Sequence, residues 1–428
     1  MHATVATSTV SGTVTAPPSK SYTHRAIFAG AYGAESEINR PLVSADTRAS
    51  MRAVEAFGAT VRNTEQGLFV SGFGDQPEVP ANVINCMNSG TTIRLAMGVA
   101  GLVDGTTVLT GDESLRSRPQ GPMLDAIDQL GGQARSTRSN EQAPIVIDGW
   151  DDSGTVQVPG DVSSQFITSL LMAGARTEAG IEIGLTSQLK SSPYVEITIE
   201  LLQDFGVAVE RLDTGYAVQG SQQYDAPTGG YTVPGDFSAA SYLLAAGAIA
   251  GGPVTVDGLY PGPQGDSEII PILERMGANI EWDTDAGQAT VTETNLTGVT
   301  VDVGDTPDLL PTLAVLGAVA DGTMTIENCE HVRYKETDRV SAMADSLEAM
   351  GASLTEEQDR LTIYGSETDL TGATLEGRGD HRIIMSLAVA GLVADGETTI
   401  SDAEDVDVSF PGFFDVLAEV GADVAITD

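Results

Sequence analysis

Six strings of this sequence repeat one pattern, and their spacing limits the fold more than any other feature. They are MRAVEAFGATV, MLDAIDQLGGQA, TIELLQDFGVAVE, IIPILERMGANIE, MADSLEAMGASLT and FFDVLAEVGADVA. In each, apolar residues at helical spacing run up to a glycine, and a short strand pattern follows. The glycines, Gly58, Gly131, Gly206, Gly277, Gly351 and Gly421, stand 73, 75, 71, 74 and 70 residues apart. So regular a period means one structural unit used six times. Each glycine is placed to end its helix in the left-handed conformation.

Between these copies lies a second string that reads helix, turn, strand, as in TIRLAMGVAGLVDGTTVL and RIIMSLAVAGLVADGETTI. Its helices are apolar almost all round, which predicts burial rather than a solvated face. Each unit is then two helices and several strands. Seventy residues is too long for the common solenoids, and 428 residues exceed what one core sustains, so two globular α/β (α+β) domains of three units each are expected. Hydrophobic residues at 41% with only 5% aromatics suit close helix-on-sheet layers. The Pro- and Gly-rich QQYDAPTGGY, around Gly229–Gly230, predicts one crossing between domains, and APPSK at 16–20 a second.

Just before the apolar helices stand KSYTHR, NSGTTIR, SSQ, DFSAAS, DLL and DHR. Ser, Asn, Asp and Thr cap the unpaired N–H groups of a buried helix, and an anion does the same with help from the helix dipole. If the helices of a domain run parallel, their first turns converge on one face. For an isolated Ser or Asp, capping alone is the better reading. Capping does not call for a cation, yet Arg25, Arg94, Arg118, Arg333, Arg339 and Arg382 accompany these strings. Two of the chain's three lysines, Lys20 and Lys335, sit there too. Were 335–339 helical, Lys335 and Arg339 would be like charges at i, i+4, which a bound phosphate or carboxylate would relieve. The plainer reading of HVRYKETDR is a solvated turn neutralised by Glu336 and Asp338.

The remainder of the chain is acidic: 61 Asp plus Glu against 21 Lys plus Arg, a net charge of −40. A surface of that sign repels nucleic acid and anionic membranes, so neither is an expected partner. Acid with almost no lysine fits a cytosol at molar salt, a halophile's, where the Debye length falls to about 3 Å. Cys86 and Cys329 are too few for a disulfide framework and lack metal-ligand spacing. No signal pattern and no run of 18 apolar residues occurs, so a soluble cytoplasmic protein is expected.

With SGTVTAPPSKSYTHRA, NSGTTIR, GDESLRSRP, SSQF, SSPYVEIT, DFSAASY, RYKETDR, GDHR and SFPGFF in order along its whole length, the chain resembles the 5-enolpyruvylshikimate-3-phosphate synthase family. The resemblance implies two domains, each of three βαβαββ units with parallel buried helices in an inside-out α/β barrel. It assigns residues 1–18 plus 229–428 to one domain and 19–228 to an inserted second, with the active site in the cleft between them. The implied activity is that of a transferase of the shikimate pathway to chorismate and aromatic amino acids. The enolpyruvyl group of phosphoenolpyruvate passes to the 5-hydroxyl of shikimate 3-phosphate through a tetrahedral intermediate, and phosphate leaves. No cofactor and no metal are implied, and a monomer is expected.

Carried over position by position, Lys20, Ser21, Arg25, Ser163, Ser164, Gln165, Ser191, Tyr194, Asp308, His331 and Lys335 would hold shikimate 3-phosphate. Lys20, Gly90, Arg118, Gln165, Arg339 and Arg382 would meet phosphoenolpyruvate. Asp308 would be the base toward the 5-hydroxyl, with Glu336 and Lys20 moving the proton to and from the methylene carbon. Two positions depart from the bacterial pattern. Val408 stands where a lysine precedes Ser-Phe-Pro, which implies weaker phosphoenolpyruvate binding, and Glu330-His331 stands where Asn-Trp is usual.

Two other readings use the same residues. One is the related transferase acting on UDP-N-acetylglucosamine, which relies on a reactive loop cysteine that neither Cys86 nor Cys329 resembles. The other is a non-catalytic two-domain protein that binds anions, a reading that leaves Asp308 and Glu336 without purpose.

Overall fold

The computed structural model describes residues 1–150 and 153–428. Among them, twelve α-helices follow one another: α1 (Lys20–Tyr32), α2 (Ala45–Ala56), α3 (Gly90–Gly101), α4 (Gly121–Gln129), α5 (Ser164–Gly174) and α6 (Ser192–Asp204). Then come α7 (Phe237–Ile249), α8 (Ile269–Arg275), α9 (Leu310–Val319), α10 (Arg339–Ala349), α11 (His381–Gly391) and α12 (Phe413–Glu419). The even-numbered helices are the amphipathic strings. All six of the glycines in register take positive φ, between 79° and 110°, as helix-ending residues must if a strand is to follow directly. The odd-numbered helices are the apolar strings, and every residue of α7 is buried.

The strands form six four-stranded sheets, each with one parallel and two antiparallel pairings. Among the described residues the sheets remain separate and no hydrogen bonding closes them into a barrel. Three belong to each of two compact units, Met1–Pro17 with Pro234–Asp428 and Pro18–Val233. The crossings thus fall at 17/18 and 233/234 rather than at 18/19 and 228/229. Backbone pairing explains the second difference. Tyr231–Thr232 adds a parallel strand beside Ile38–Asn39, and Asn39 donates to the Gly229 carbonyl, so the chain leaves the inserted unit only after that strand.

In the inserted unit α3 and α5 pack most closely. A Cβ on Gly98 would lie 2.4 Å from Ser169 Oγ, so only glycine permits this approach. Their first turns are joined by hydrogen bonds, whereas the last residues of α1 and α3 and the segment after α5 gather around a cavity of ≈ 510 Å³. The buried helices of this unit therefore run parallel, with their N-terminal turns on one face. Ser89, Ser163, Asp236 and Asp380 cap α3, α5, α7 and α11 with their side chains, as their chemistry predicts. No helix is long and apolar enough to cross a membrane among the described residues.

Candidate active-site residues

The inserted unit gathers arginines among neutral acceptors. Arg25, 1% exposed, donates to Thr198 Oγ1, Thr168 Oγ1 and the carbonyls of Ser21 and Tyr194, tying α1 to α5 and α6. These bonds occupy four of its five N–H groups. With no carboxylate among these acceptors, burial pushes its pKa down to about 10. It is still a cation at neutral pH, and a nearby anion would stabilise it. Arg94 reaches from α3 to Ser163 Oγ at 3.2 Å and Gln165 Oε1 at 2.7 Å, and it covers the Phe166 ring. Gln165 Nε2 in turn donates to Thr91. Arg118 donates to Asn88 and Ser114, and its guanidinium lies 3.2 Å from where a Cβ on Gly90 would stand. Gly90, Arg94, Arg118, Ser163 and Gln165 thus form one group.

Lys20 opens α1 and donates to Asp46 Oδ2 at 3.1 Å, both side chains being largely buried. Ser21 follows it in the same turn. Ser191 precedes α6 with φ of 56°, a conformation serine rarely adopts, and its hydroxyl does not cap the helix. Such local strain tends to accompany function. Tyr194, one turn on, gives its carbonyl to Arg25.

The other unit gathers arginines among carboxylates. Arg339, 1% exposed, donates to Asp308 at 2.8 Å, Glu336 at 2.6 Å and Asp380 at 2.8 Å. Burial works against its charge, yet Asp380, Glu336 and Asp308 hold its pKa well above the usual value. Arg382 donates to the second oxygen of Asp308 at 2.7 Å and to Tyr242. Asp308 does not cap α9; both its oxygens face guanidinium groups. Burial would raise its pKa, but Arg382, Arg339 and Lys335 together hold it well below the carboxylate range.

Two expectations for HVRYKETDR change. Glu330–Tyr334 forms a 3-10 turn, Lys335 ends it, and α10 starts only at Arg339 behind the cap of Asp338. Lys335 and Arg339 are therefore not i, i+4 neighbours on one helix. Arg333 is engaged by Asp338, Ser341, Glu356 and two carbonyls, so it holds the turn together. His331 lies on the same turn and Val408 ends another, Ala403–Val408.

Asp46 and Asp266 are not among the residues picked out from the sequence, and Asp380 and His381 enter there only within the capping string DHR. Asp380 is completely buried against Arg339, and His381 Nδ1 lies 3.9 Å from it. Each acid sits at or near a helix start, where a dipole-favoured carboxylate is ordinary. Only the pairing of Asp380 with the GDHR string carried a signal.

The thiols are unsuited to nucleophilic work. Cys86 and Cys329 are wholly buried, and burial pushes their pKa values up to about 12 and about 11. No group of three metal-binding side chains occurs among the described residues.

The fold is that of the enolpyruvyl transferases. The chain superimposes on the enolpyruvyl transferase NikO from Streptomyces tendae with a TM-score of 0.78 and 19% identity, covering 100% of this chain and 98% of that one. It matches EPSP synthase from Acinetobacter baumannii with a TM-score of 0.83 and 26% identity over 99% and 100% of the two chains. A family model for EPSP synthase (3-phosphoshikimate 1-carboxyvinyltransferase) matches residues 5–417. The 3-phosphoshikimate 1-carboxyvinyltransferase of Halobacterium salinarum is 60% identical over 428 residues, 99% of each chain, and that of Methanosarcina acetivorans is 51% identical over 99% of each. The chain belongs to the EPSP synthase family.

Proposed function

We infer that this protein transfers the enolpyruvyl group of phosphoenolpyruvate to the 5-hydroxyl of shikimate 3-phosphate and releases phosphate. The observation that carries the reading is Asp308 held by both Arg339 and Arg382, within a chain that matches its family almost end to end. A cysteine-dependent transfer to a UDP-sugar finds no accessible thiol here, and the non-catalytic reading gives way to the family.

Shikimate 3-phosphate is assigned to Lys20, Ser21, Arg25, Ser163, Ser164, Gln165, Ser191, Tyr194, Asp308, His331 and Lys335. Arg25 serves through its positive field, since its N–H groups are mostly occupied. Phosphoenolpyruvate is assigned to Lys20, Gly90, Arg118, Gln165, Arg339 and Arg382. Its phosphate and carboxylate suit the forked donors of arginine.

A proton added to the methylene carbon makes C2 electrophilic. The 5-hydroxyl oxygen then bonds to C2 as Asp308 accepts its proton, giving the tetrahedral intermediate. Loss of the methyl proton and of phosphate restores the double bond, with Glu336 and Lys20 as the groups that deliver and recover that proton. Asp308 alone is a poor base, because Arg382 and Arg339 favour its charged form. An anion bound to those arginines offsets their charge and makes the carboxylate more basic. Substrate binding thereby readies the base.

The test is phosphate release from both substrates, with each omitted in turn, between about 0.1 and about 3 M KCl. Release only with both, rising with salt, is expected of a halophilic synthase. No release from folded protein at any salt would overturn the reading.

A further inference from the structure

A fourth carboxylate stands beside this cluster, and the transfer reaction as described makes no use of it. Asp266 lies in the 3-10 turn Gly265–Glu268, only 3% exposed. Gln264 pins that turn to the start of α7: its Oε1 accepts from the Phe237 N–H at 3.2 Å and its Nε2 donates to the Gly235 carbonyl at 2.8 Å. Asp266 Oδ2 accepts from the Ser238 hydroxyl, while Oδ1 is buried with no hydrogen-bond partner. Ser238 and Tyr242 are i, i+4 on α7, and Tyr242 accepts from Arg382. Side chains so spaced stand about 5–6 Å apart on one helix face. Asp266 and Arg382 are thus held on neighbouring positions of the same face.

The charged groups facing Asp266 come from three elements: Asp236 capping α7, Asp308 on the turn before α9, and Arg382 on α11. A buried carboxylate with an oxygen lacking any donor is costly, and the neutral acid is much less so. Burial first, then Asp308 and Asp236, raise its pKa against the pull of Arg382 and Ser238, to about 7. While Asp266 is neutral, Arg339, Arg382 and Lys335 meet three carboxylates, Asp308, Glu336 and Asp380. Ionised, it adds a fourth beside the cation assigned to phosphoenolpyruvate.

We propose that Asp266 is a positioning residue that carries a proton while phosphoenolpyruvate binds, and that loss of this proton weakens the hold of Arg382 on the anion. The proposal rests on the assignment of Arg382 to phosphoenolpyruvate. The acid is uncharged below neutral pH and charged above it, so affinity falls as pH rises through the neutral range.

The test compares the full-length protein with Asp266→Asn and Ser238→Ala, measuring phosphoenolpyruvate affinity directly by calorimetry and the KM and kcat of phosphate release across neutral pH. Ionisation of phosphoenolpyruvate itself is common to all three proteins. The wild type is expected to lose about three- to thirtyfold in affinity relative to Asp266→Asn as pH rises, with kcat little affected. Ser238→Ala, which removes a donor to the carboxylate, moves the fall to higher pH. Infrared spectra of the wild type should show a neutral carboxylic acid that disappears through the same range and is missing from Asp266→Asn. Equal pH profiles for wild type and Asp266→Asn would overturn the proposal, as would an unmoved profile in Ser238→Ala if Asp266→Asn does not fold. A wild type that binds phosphoenolpyruvate with this pH dependence but releases no phosphate would sink the catalytic reading and leave the role of Asp266 standing.

Discussion

The two units treat buried arginine in opposite ways. Arg25 and Arg94 in the inserted unit are met by hydroxyls, amides and carbonyls, whereas Arg339 and Arg382 in the other are met by Asp308, Glu336 and Asp380. Neutral acceptors orient a guanidinium without cancelling it, which leaves positive potential for an anion. Carboxylates cancel the charge but supply groups that move protons. On the proposed assignments one unit attracts substrate and the other acts on it, although Lys20–Asp46 places a largely buried ion pair in the inserted unit.

The largest expected effect tests the acting side. Asp308→Asn keeps the shape but removes the proposed base, and kcat should fall about 10²–10⁴-fold with the fold intact by circular dichroism. A kcat within threefold of wild type would return Asp308 to a purely structural part. Next, Asp380→Ala breaks a fully buried pair and should cost about 3–5 kcal/mol in denaturant unfolding. Thr198→Ala removes a neutral acceptor from Arg25, together with the Thr198 hydroxyl's bonds to Thr168 and the Tyr194 carbonyl, and should cost about 1–3 kcal/mol. If the two losses were equal, the contrast between the units would have no energetic meaning.

Smaller effects refine the attracting side. Gly90→Ala sets a methyl 3.2 Å from the Arg118 guanidinium, so the arginine must shift by a few tenths of an ångström. The KM for phosphoenolpyruvate should rise several-fold while that for shikimate 3-phosphate holds, as steady-state kinetics would read. Smallest is Val408→Lys, which restores the cation of the bacterial pattern. It should lower the same KM a few-fold at low salt, less in molar KCl where the charge is screened. An unchanged KM would remove Val408 from the substrate's surroundings.

The sequence disclosed the parts of the molecule that depend on spacing or rarity. The glycine period needs positive φ at six places, and the six positions deliver it. Three lysines in 428 residues make Lys20 and Lys335 conspicuous. Carboxylates are the opposite case. Among 61 acids a single Asp carries almost no information, so Asp46 and Asp266 emerge only when folding brings a cation or a hydroxyl to each, and Asp380, legible as a helix cap, shows its ion pair only then. The Lys335–Arg339 pairing failed for another reason: it assumed a continuous helix where Asp338 caps a new one. Arg333 shows the same limit, since its charge resembles a ligand's until Glu356 arrives from a distant strand.

The first strand also sets a timetable. His2–Ala6 lies between Glu397–Ser401 and Asp423–Thr427, so its sheet pairs strands far apart in the sequence. At cellular rates of synthesis that strand leaves the ribosome roughly 20–80 s before its partners exist. The inserted unit, Pro18–Val233, is fully synthesised while the remainder is still being made. Residues 1–19 hold no Asp, Glu, Lys or Arg, so the waiting strand has no charges of its own to keep it from a wrong neighbour during that interval.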